Sequence, residues 1–278
     1  MITIHPLTTH DELLAVEQLQ RDAWGVPEVD VVPLHMLITP PRHGGLLLGA
    51  FDGDRLAGFV FGFLGLTADG RLKHCSHMAG VHPDYRGHGV GYQLKLAQRQ
   101  HVLAQGLDLI TWTFDPLETR NAQLNFHKLG AVCHTYIRNL YGAMRAAINV
   151  GPPSDRFEVE WWIRSNRVAH RLQSPPASTS PSASPSAVPI RCDIPPSASP
   201  SAVPIRCDVP SPSLLLEVPA DFQAIKRTDM PLAIQWRLHT RQLFEDAFSQ
   251  GYTATDLLRQ DDRCHYLLER LPAQLAAN

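Results

Sequence analysis

The chain has little of what would send it to a membrane, an oxidising compartment or a nucleic acid. In its 278 residues no apolar run approaches the ~20 positions needed to cross a bilayer. The opening residues M-I-T-I-H-P-L have no basic region followed by an apolar one, so no secretory signal is expected. Five cysteines stand at scattered positions, forming neither a C-x-x-C pair nor an even framework. Formal net charge is only −2 and no Lys/Arg stripe is present, which argues against a nucleic-acid or anionic-membrane partner. A cytoplasmic, reduced setting is the expectation. A zinc reading of His74-Cys75-x-His77 fails on geometry, because positions 74 and 77 of a strand face opposite ways unless a bulge intervenes, so no metal is expected.

A 44% hydrophobic content is ample for a core, and its periodicity alternates between strand and helix. Strands are expected at Ile2–Leu7, Leu46–Phe51, Leu56–Leu66, Arg71–Val81, Leu107–Phe114, Val132–Leu140 and from Phe157 to Ile163. Helices are expected after Thr9 or His10 (Leu13, Val16, Leu19 and Ala23 on one face), from Val32 to Ile38 and from Gly89 to Gln105. Another is expected from Thr119 to Leu129. Pro40-Pro41 should end the second of these. The strand–loop–helix–strand run through residues 71–114 is a right-handed βαβ unit, so its two strands should be parallel. The fold class is α/β with a mixed sheet.

One stretch stands out, H-M-A-G-V-H-P-D-Y-R-G-H-G-V-G over residues 77–91. An apolar strand breaks at Pro83 and passes through Arg86, Gly87, His88, Gly89, Val90 and Gly91 into a helix. Glycines at such a place allow positive φ and close approach of a ligand to the backbone. Unpaired N–H groups and the positive end of the helix dipole then face one point, a phosphate-binding arrangement. Arg86 adds a charge-assisted contact. Neither the dinucleotide fingerprint nor the G-K-[ST] ending of a triphosphate loop is present.

The spacing Arg86-x-x-Gly89-x-Gly91 after a strand resembles the acetyl-CoA pyrophosphate loop of the GNAT acyltransferase superfamily. The run N-A-Q-L-N-F-H-K-L-G-A at 121–131 is similar to a second landmark of that family, a helix beside the pantetheine arm. With R-N-x-x-L-N-x-x-K-L-G-A, the chain looks like a bacterial subgroup carrying a C-terminal extension. The resemblance implies the GNAT fold, acetyl-CoA as co-substrate and a small-molecule or peptide amine as acceptor. It implies that pantetheine lies along Ala79, Gly80 and Val81, where a backbone N–H holds the oxyanion, and that Gly87, Gly89 and Gly91 hold the pyrophosphate. Asn121 and Asn125, four apart on one helix face, are the amides offered to the pantetheine.

An amine arrives as ammonium with a pKa near 10.4, about one molecule in 10³ neutral at pH 7, so a base is expected. Asp115, Glu118 and His77 are the candidates. Each also has a plain structural role, as a turn residue, a first-turn helix charge and a strand residue. Where many members of the family place a Tyr as general acid, this chain has Phe126. Tyr141 or His127 are the substitutes, or the thiolate leaves unaided. A non-catalytic CoA sensor or interaction module is therefore the alternative function.

Residues 174–213 hold 11 Pro and 11 Ser among 40 positions, and P-S-A-S-P-S-A-V-P-I-R-C-D recurs at an offset of 15 residues. Such a stretch buries no core and reads as a disordered linker grown by duplication. The expected organisation is an acetyltransferase domain at 1–170, a linker at 171–213 and a small αβ extension at 214–278. In that extension a strand is expected at Leu214–Val218, a helix from Pro231 to Gln250, and strands at Tyr252–Leu258 and His265–Leu268. The extension is short for independent folding and should pack on the first domain or a neighbouring subunit, which leaves a homodimer open.

Overall fold

The structure is a computed structural model that describes residues 1–143, 151–173, 188–190, 211–260 and 263–271. Its elements follow one another as β1 (Ile2–Pro6), α1 (His10–Trp24), α2 (Leu34–Arg42), β2 (Leu46–Asp52), β3 (Arg55–Leu66), β4 (Leu72–Val81), α3 (Val90–Ala104), β5 (Leu109–Phe114), α4 (Thr119–Ala122), β6 (Val132–Ile137), β7 (Arg156–Trp162), α5 (Asn166–Gln173), β8 (Val188–Ile190), β9 (Ser213–Pro219), α6 (Phe222–Thr228), α7 (Met230–Ser249), β10 (Thr253–Gln260) and β11 (Arg263–Glu269). The α/β class is as the periodicity implied. Among the described residues no helix is long and apolar enough to cross a membrane. The chain divides into two compact units, one of Met1–Trp112 with 145–150, the other of Thr113–Met144 and Gly151–Asn278.

In the first unit the strand order is β1-β2-β3-β4-β5. The first four are antiparallel neighbours, and β4 pairs parallel to β5 through His74–Ile110 and Cys75–Thr111. Both faces of this sheet are covered, so β2 reads as an unbroken buried run rather than an alternation. Leu47, Phe59 and Phe61 point to a layer with Leu13, Val16 and Leu19 of α1 and Leu37 of α2. Leu46, Leu48 and Val60, one residue out of phase, meet Val90 and Leu94 of α3.

Local chemistry explains where these helices begin and end. Thr9 opens α1 with a capping box: its Oγ1 accepts from the Glu12 N–H, while Glu12 accepts from the Thr9 N–H at 2.8 Å. Gly25 closes it in a left-handed conformation (φ 61°). Helix α2 departs from expectation by running through Pro40 and Pro41 to Arg42. The Pro40 carbonyl accepts from the N–H groups of His43 (2.9 Å) and Gly45 (2.7 Å), which closes a final turn that has no need of proline donors.

In the second unit the order is β7-β6-β10-β11-β9-β8. All neighbours are antiparallel except β8 and β9, parallel through Val188–Leu214 to Ile190–Leu216. The C-terminal strands thus continue the ladder of β6, joined at Ala254–Cys133. The core is aromatic. Phe157 sits within ring distance of Phe114, Phe126, Tyr136, Phe244, Phe248 and Tyr266. The expected helix over Thr119–Leu129 is α-helical only to Ala122 and continues as a π turn over Gln123–Lys128. Two helices were not anticipated, α5 and α6, the second capped by Asp221 through the Ala224 N–H at 2.8 Å. Within the expected linker, Val188–Ile190 is a strand, and residues 174–187 and 191–210 lie outside the described residues.

Candidate functional site

In the first unit, β4 runs into the glycine loop. Its ladder to β3 extends from Leu72 to Val81, with an irregularity between Phe61 and Gly62 that leaves His77 as an extra residue. To β5 it is paired only at His74 and Cys75. Past that point one edge of β4 carries backbone groups outside that ladder, including those of Ala79, Gly80 and Val81. Gly80 owes its lack of a side chain to packing: a Cβ there would meet Phe59 at 2.8 Å and Trp24 at 3.2 Å.

The loop itself takes the conformation its glycines allow. Gly87 (φ 83°) and Gly89 (φ 79°) are left-handed, whereas Gly91 lies in the first turn of α3. Of the three glycines only these two use the positive φ open to them, because the helix has begun at Val90. No side chain caps α3, whose N-cap is Gly89. Gly87 has open space around it and Gly89 has only Gln93 Nε2 at 4.0 Å. His88 is exposed and Val90 buried. Arg86 donates from Nη2 to the Ala23 carbonyl at 2.5 Å, so it ties the loop to the end of α1.

Beneath this helix lies a buried polar group that sequence periodicity did not single out. Lys95 is only 4% exposed. Its Nζ donates to Gln98 Oε1 at 2.8 Å and Ser76 Oγ at 3.1 Å, and lies 3.8 Å from the centre of the Trp112 ring. Burial pulls its pKa down to about 7. Gln98 Nε2 is 3.1 Å from His74 Nε2, and burial with the Lys95 charge lowers the His74 pKa to about 3. His74 is buried while His77 is exposed beside Phe61 and Phe63, and no group of three metal-ligating side chains occurs among the described residues.

The second unit holds the candidate acid–base residues. The stretch Asp115–Thr119 is held at four points by the C-terminal segment. Asp115 accepts from Arg237 Nη2, and Pro116 O accepts from the Tyr266 hydroxyl at 2.6 Å. Glu118 accepts from Gln223 Nε2 at 2.5 Å, and Thr119 Oγ1 donates to the Ala220 carbonyl at 2.8 Å. Arg156 adds a second cation 3.7 Å from Asp115. Among the described residues Glu118 makes no ion pair of this kind, and burial followed by the Asp115 charge holds its carboxyl above the usual range. Tyr141 is half-exposed, its hydroxyl 2.8 Å from Thr113 Oγ1.

Phe126 is fully buried, with Phe114 at 5.9 Å and Tyr266 at 5.7 Å. A phenol here would have to seat its hydroxyl among rings, which accounts for Phe in that place. His127 is buried too, its Nδ1 2.9 Å from Asp256 Oδ1. Asn125 is buried and Asn121 exposed. The i→i+5 repeat of the π turn shifts the phase that a uniform helix would have kept between them.

Sequence comparison places the acetyltransferase (GNAT) family model on residues 13–131. No curated protein sequence matches the chain. Solved structures similar to part of it include the ribosomal-protein-S18-alanine N-acetyltransferase from Escherichia coli, at 18% identity and TM-score 0.47, covering 59% of this chain and 94% of that one. Arabidopsis thaliana Naa50, in complex with a bisubstrate analogue, is 20% identical with TM-score 0.44, covering 57% and 97%. An acetyltransferase of the GNAT family from Streptococcus pneumoniae is 16% identical with TM-score 0.44, covering 58% and 98%. The match to the acetyltransferase (GNAT) family model takes in the glycine loop and the stretch from Asp115 to Gly130.

Proposed function

We propose that this chain transfers an acetyl or other short acyl group from CoA directly to a primary amine. The observation that carries the reading is the β4–loop–α3 passage, with left-handed Gly87 and Gly89 leading into an uncapped helix inside the family match. The N–H groups of Gly87–Gly91 hold the pyrophosphate at the helix dipole, with Arg86 beside them. The β4 edge at Ala79, Gly80 and Val81 pairs with pantetheine amides as an added strand would. One N–H there polarises the thioester carbonyl and stabilises the oxyanion. Asn121 and Asn125 keep the role toward the pantetheine arm that the family resemblance assigns them.

Of the two acidic candidates, Glu118 is the better base. Asp115 is committed to Arg237 and Arg156, and protonating it would strand buried guanidinium charge. Glu118 has a raised pKa, nearer the working range of a general base. It takes a proton from the ammonium; the amine nitrogen attacks the carbonyl carbon; the C–S bond breaks, CoA leaves as thiolate, and the second proton that the nitrogen sheds matches the one the sulfur takes up. Tyr141 is the hydroxyl available to protonate the sulfur. Residues 1–170 then form the acetyltransferase, 171–213 a linker and 214–278 an extension that steadies the Asp115–Thr119 stretch.

The test is titration of the full chain with acetyl-CoA, then thiol release across an amine panel. Gly89→Val should lower acetyl-CoA affinity by at least roughly 10-fold. The left-handed backbone costs only about 1–2 kcal/mol, out of about 5–15 kcal/mol of total stability, so the fold should survive. Absence of acetyl-CoA binding by the parent protein would end the proposal. The buried Phe126, without a hydroxyl, supports a second reading, a CoA-binding module with no turnover; thiol release with any amine excludes it.

A further inference from the structure

The first turn of α6 is built against the two residues that open α4. Asp221 caps that turn by accepting from the Ala224 N–H at 2.8 Å. Just before the cap, the Ala220 carbonyl accepts from Thr119 Oγ1 at 2.8 Å. Within the turn, Gln223 Nε2 donates to Glu118 Oε1 at 2.5 Å. Two successive residues of one segment are thus held from both ends of a single turn in the other.

That turn is anchored from beneath. Phe222, between the two contacts, is 3% exposed, and the guanidinium carbon of Arg237 lies 5.2 Å from its ring centre. Arg237 in turn donates to Asp115. The Gln223 amide is therefore carried by a helix end that a cap, a buried ring and a backbone acceptor fix to the same short stretch. Its reach to Glu118 is set in advance, and little side-chain freedom is left to lose.

The kind of donor matters as much as its place. The charged groups facing Glu118 are Asp115 from its own turn, Lys226 of α6 and Arg237 of α7. A guanidinium bonded directly to a carboxylate stabilises the anion strongly, whereas a neutral amide orients the group at smaller cost to its affinity for a proton. Burial and then Asp115 raise the Glu118 pKa, and the Gln223 bond draws it part of the way back. Glu118 is half-buried rather than sealed.

We infer that Gln223 is the positioning residue of the general base, holding the Glu118 carboxylate through Oε1 so that Oε2 receives the proton of the incoming ammonium. The C-terminal extension, beyond the residues 13–131 that the family model matches, then supplies part of the acid–base apparatus. The inference rests on the acyl-transfer reading for the role of Glu118, while the bond itself is tested without turnover. It adds no covalent step to the sequence given above.

The experiment uses the full chain, isotope-labelled at its glutamate carboxyl carbons, with the Glu118 resonance identified by its loss in Glu118→Gln. Its titration is followed by NMR in the parent, Gln223→Met and Gln223→Glu, beside thiol release against pH, acetyl-CoA affinity and Tm. Gln223→Met removes the donor at similar volume. The Glu118 midpoint should rise by at least about half a pH unit, as loss of a hydrogen bond to the charged form requires. In Gln223→Glu a second carboxylate replaces the donor, and the last proton of the pair should leave at higher pH still. The thiol-release profile should move up in the same order, its plateau falling at least roughly 10-fold with acetyl-CoA affinity unchanged. A contribution to folding alone would lower Tm and leave both midpoints in place. Either variant decides, so failure of one to fold does not remove the test. An unmoved Glu118 midpoint in an active protein overturns the inference and leaves acyl transfer standing. A moved midpoint with an unmoved thiol-release profile also overturns it, since the base then lies elsewhere. A moved midpoint in a protein that releases no thiol with any amine upholds the hold of Gln223 on Glu118 and rejects the transfer.

Discussion

Lys95 offers the most quantitative test of how this molecule is built. Its ammonium is held at 4% exposure by Ser76, Gln98 and the Trp112 face, and its pKa falls from 10.5 to about 7. A fall of about 3.5 corresponds to about 5 kcal/mol between the two protonation states. The unfolded chain keeps this proton up to pH 10.5 and the folded chain loses it near 7. Between those values U binds more protons than N, so this residue's contribution to stability rises with pH by about 1.4 kcal/mol per pH unit. Below pH 7 both states are charged and the full penalty stands. Lys95→Met removes the titration, keeps most of the volume and leaves Ser76 donating to Gln98 at 3.2 Å. It forfeits a cation–π contact of about 0.5–2 kcal/mol and two hydrogen bonds of about 1 kcal/mol each. The variant should therefore be more stable than the parent at pH 6 by about 1–2 kcal/mol, and less stable at pH 10. Urea unfolding of both proteins from pH 6 to 10 reads the difference directly. If that difference is flat across the range, Lys95 is not buried as a neutral amine above pH 7 and the reasoning fails.

Three further outcomes follow from the site and the core. Glu118→Gln should cut thiol release by roughly 10²–10⁴ with acetyl-CoA affinity unchanged. In the parent, activity should fall as pH drops through a value above 4.5, since the carboxyl is raised by burial; an unaltered rate removes Glu118 from the chemistry. Gly80→Ala should destabilise by about 1–3 kcal/mol through overpacking against Phe59 and Trp24, read as a lowered Tm. Asp256→Ala strips a carboxylate from Arg171 (2.8 Å) and His127 (2.9 Å) and should cost about 3–5 kcal/mol by leaving buried charge unpaired. Burial would raise the Asp256 pKa, but the His127 hydrogen bond and Arg171 charge outweigh it and the net shift is downward. The stability it confers is thus present above pH 3.8 and lost as pH falls through its lower folded value.

Much of the first unit was legible because its determinants are local. Apolar spacing at Leu13, Val16, Leu19 and Ala23 identifies the buried face of α1, and glycine and proline punctuate the loop at 83–91. The parallel pairing of β4 and β5 follows from connection handedness alone. Helix α2 was misjudged at its end because two prolines need no donors in a closing turn. Helix α6 escaped notice because it is only seven residues long and has a single buried apolar position, Phe222.

By itself the sequence determined the class of fold, the glycine loop and its place before a helix, and the absence of a hydroxyl at Phe126. These depend on backbone sterics and on hydrophobic period, which neighbouring residues settle among themselves. Which carboxylate is paired with a guanidinium was decided only by tertiary structure. Asp115 and Glu118 are equivalent as letters three positions apart, yet Arg237, more than a hundred residues onward, claims the first and leaves the second with Gln223. The same holds for Lys95, whose spacing on α3 is that of an ordinary helical lysine. Its pKa depends on burial against Ser76 and Trp112, residues that no local pattern brings together.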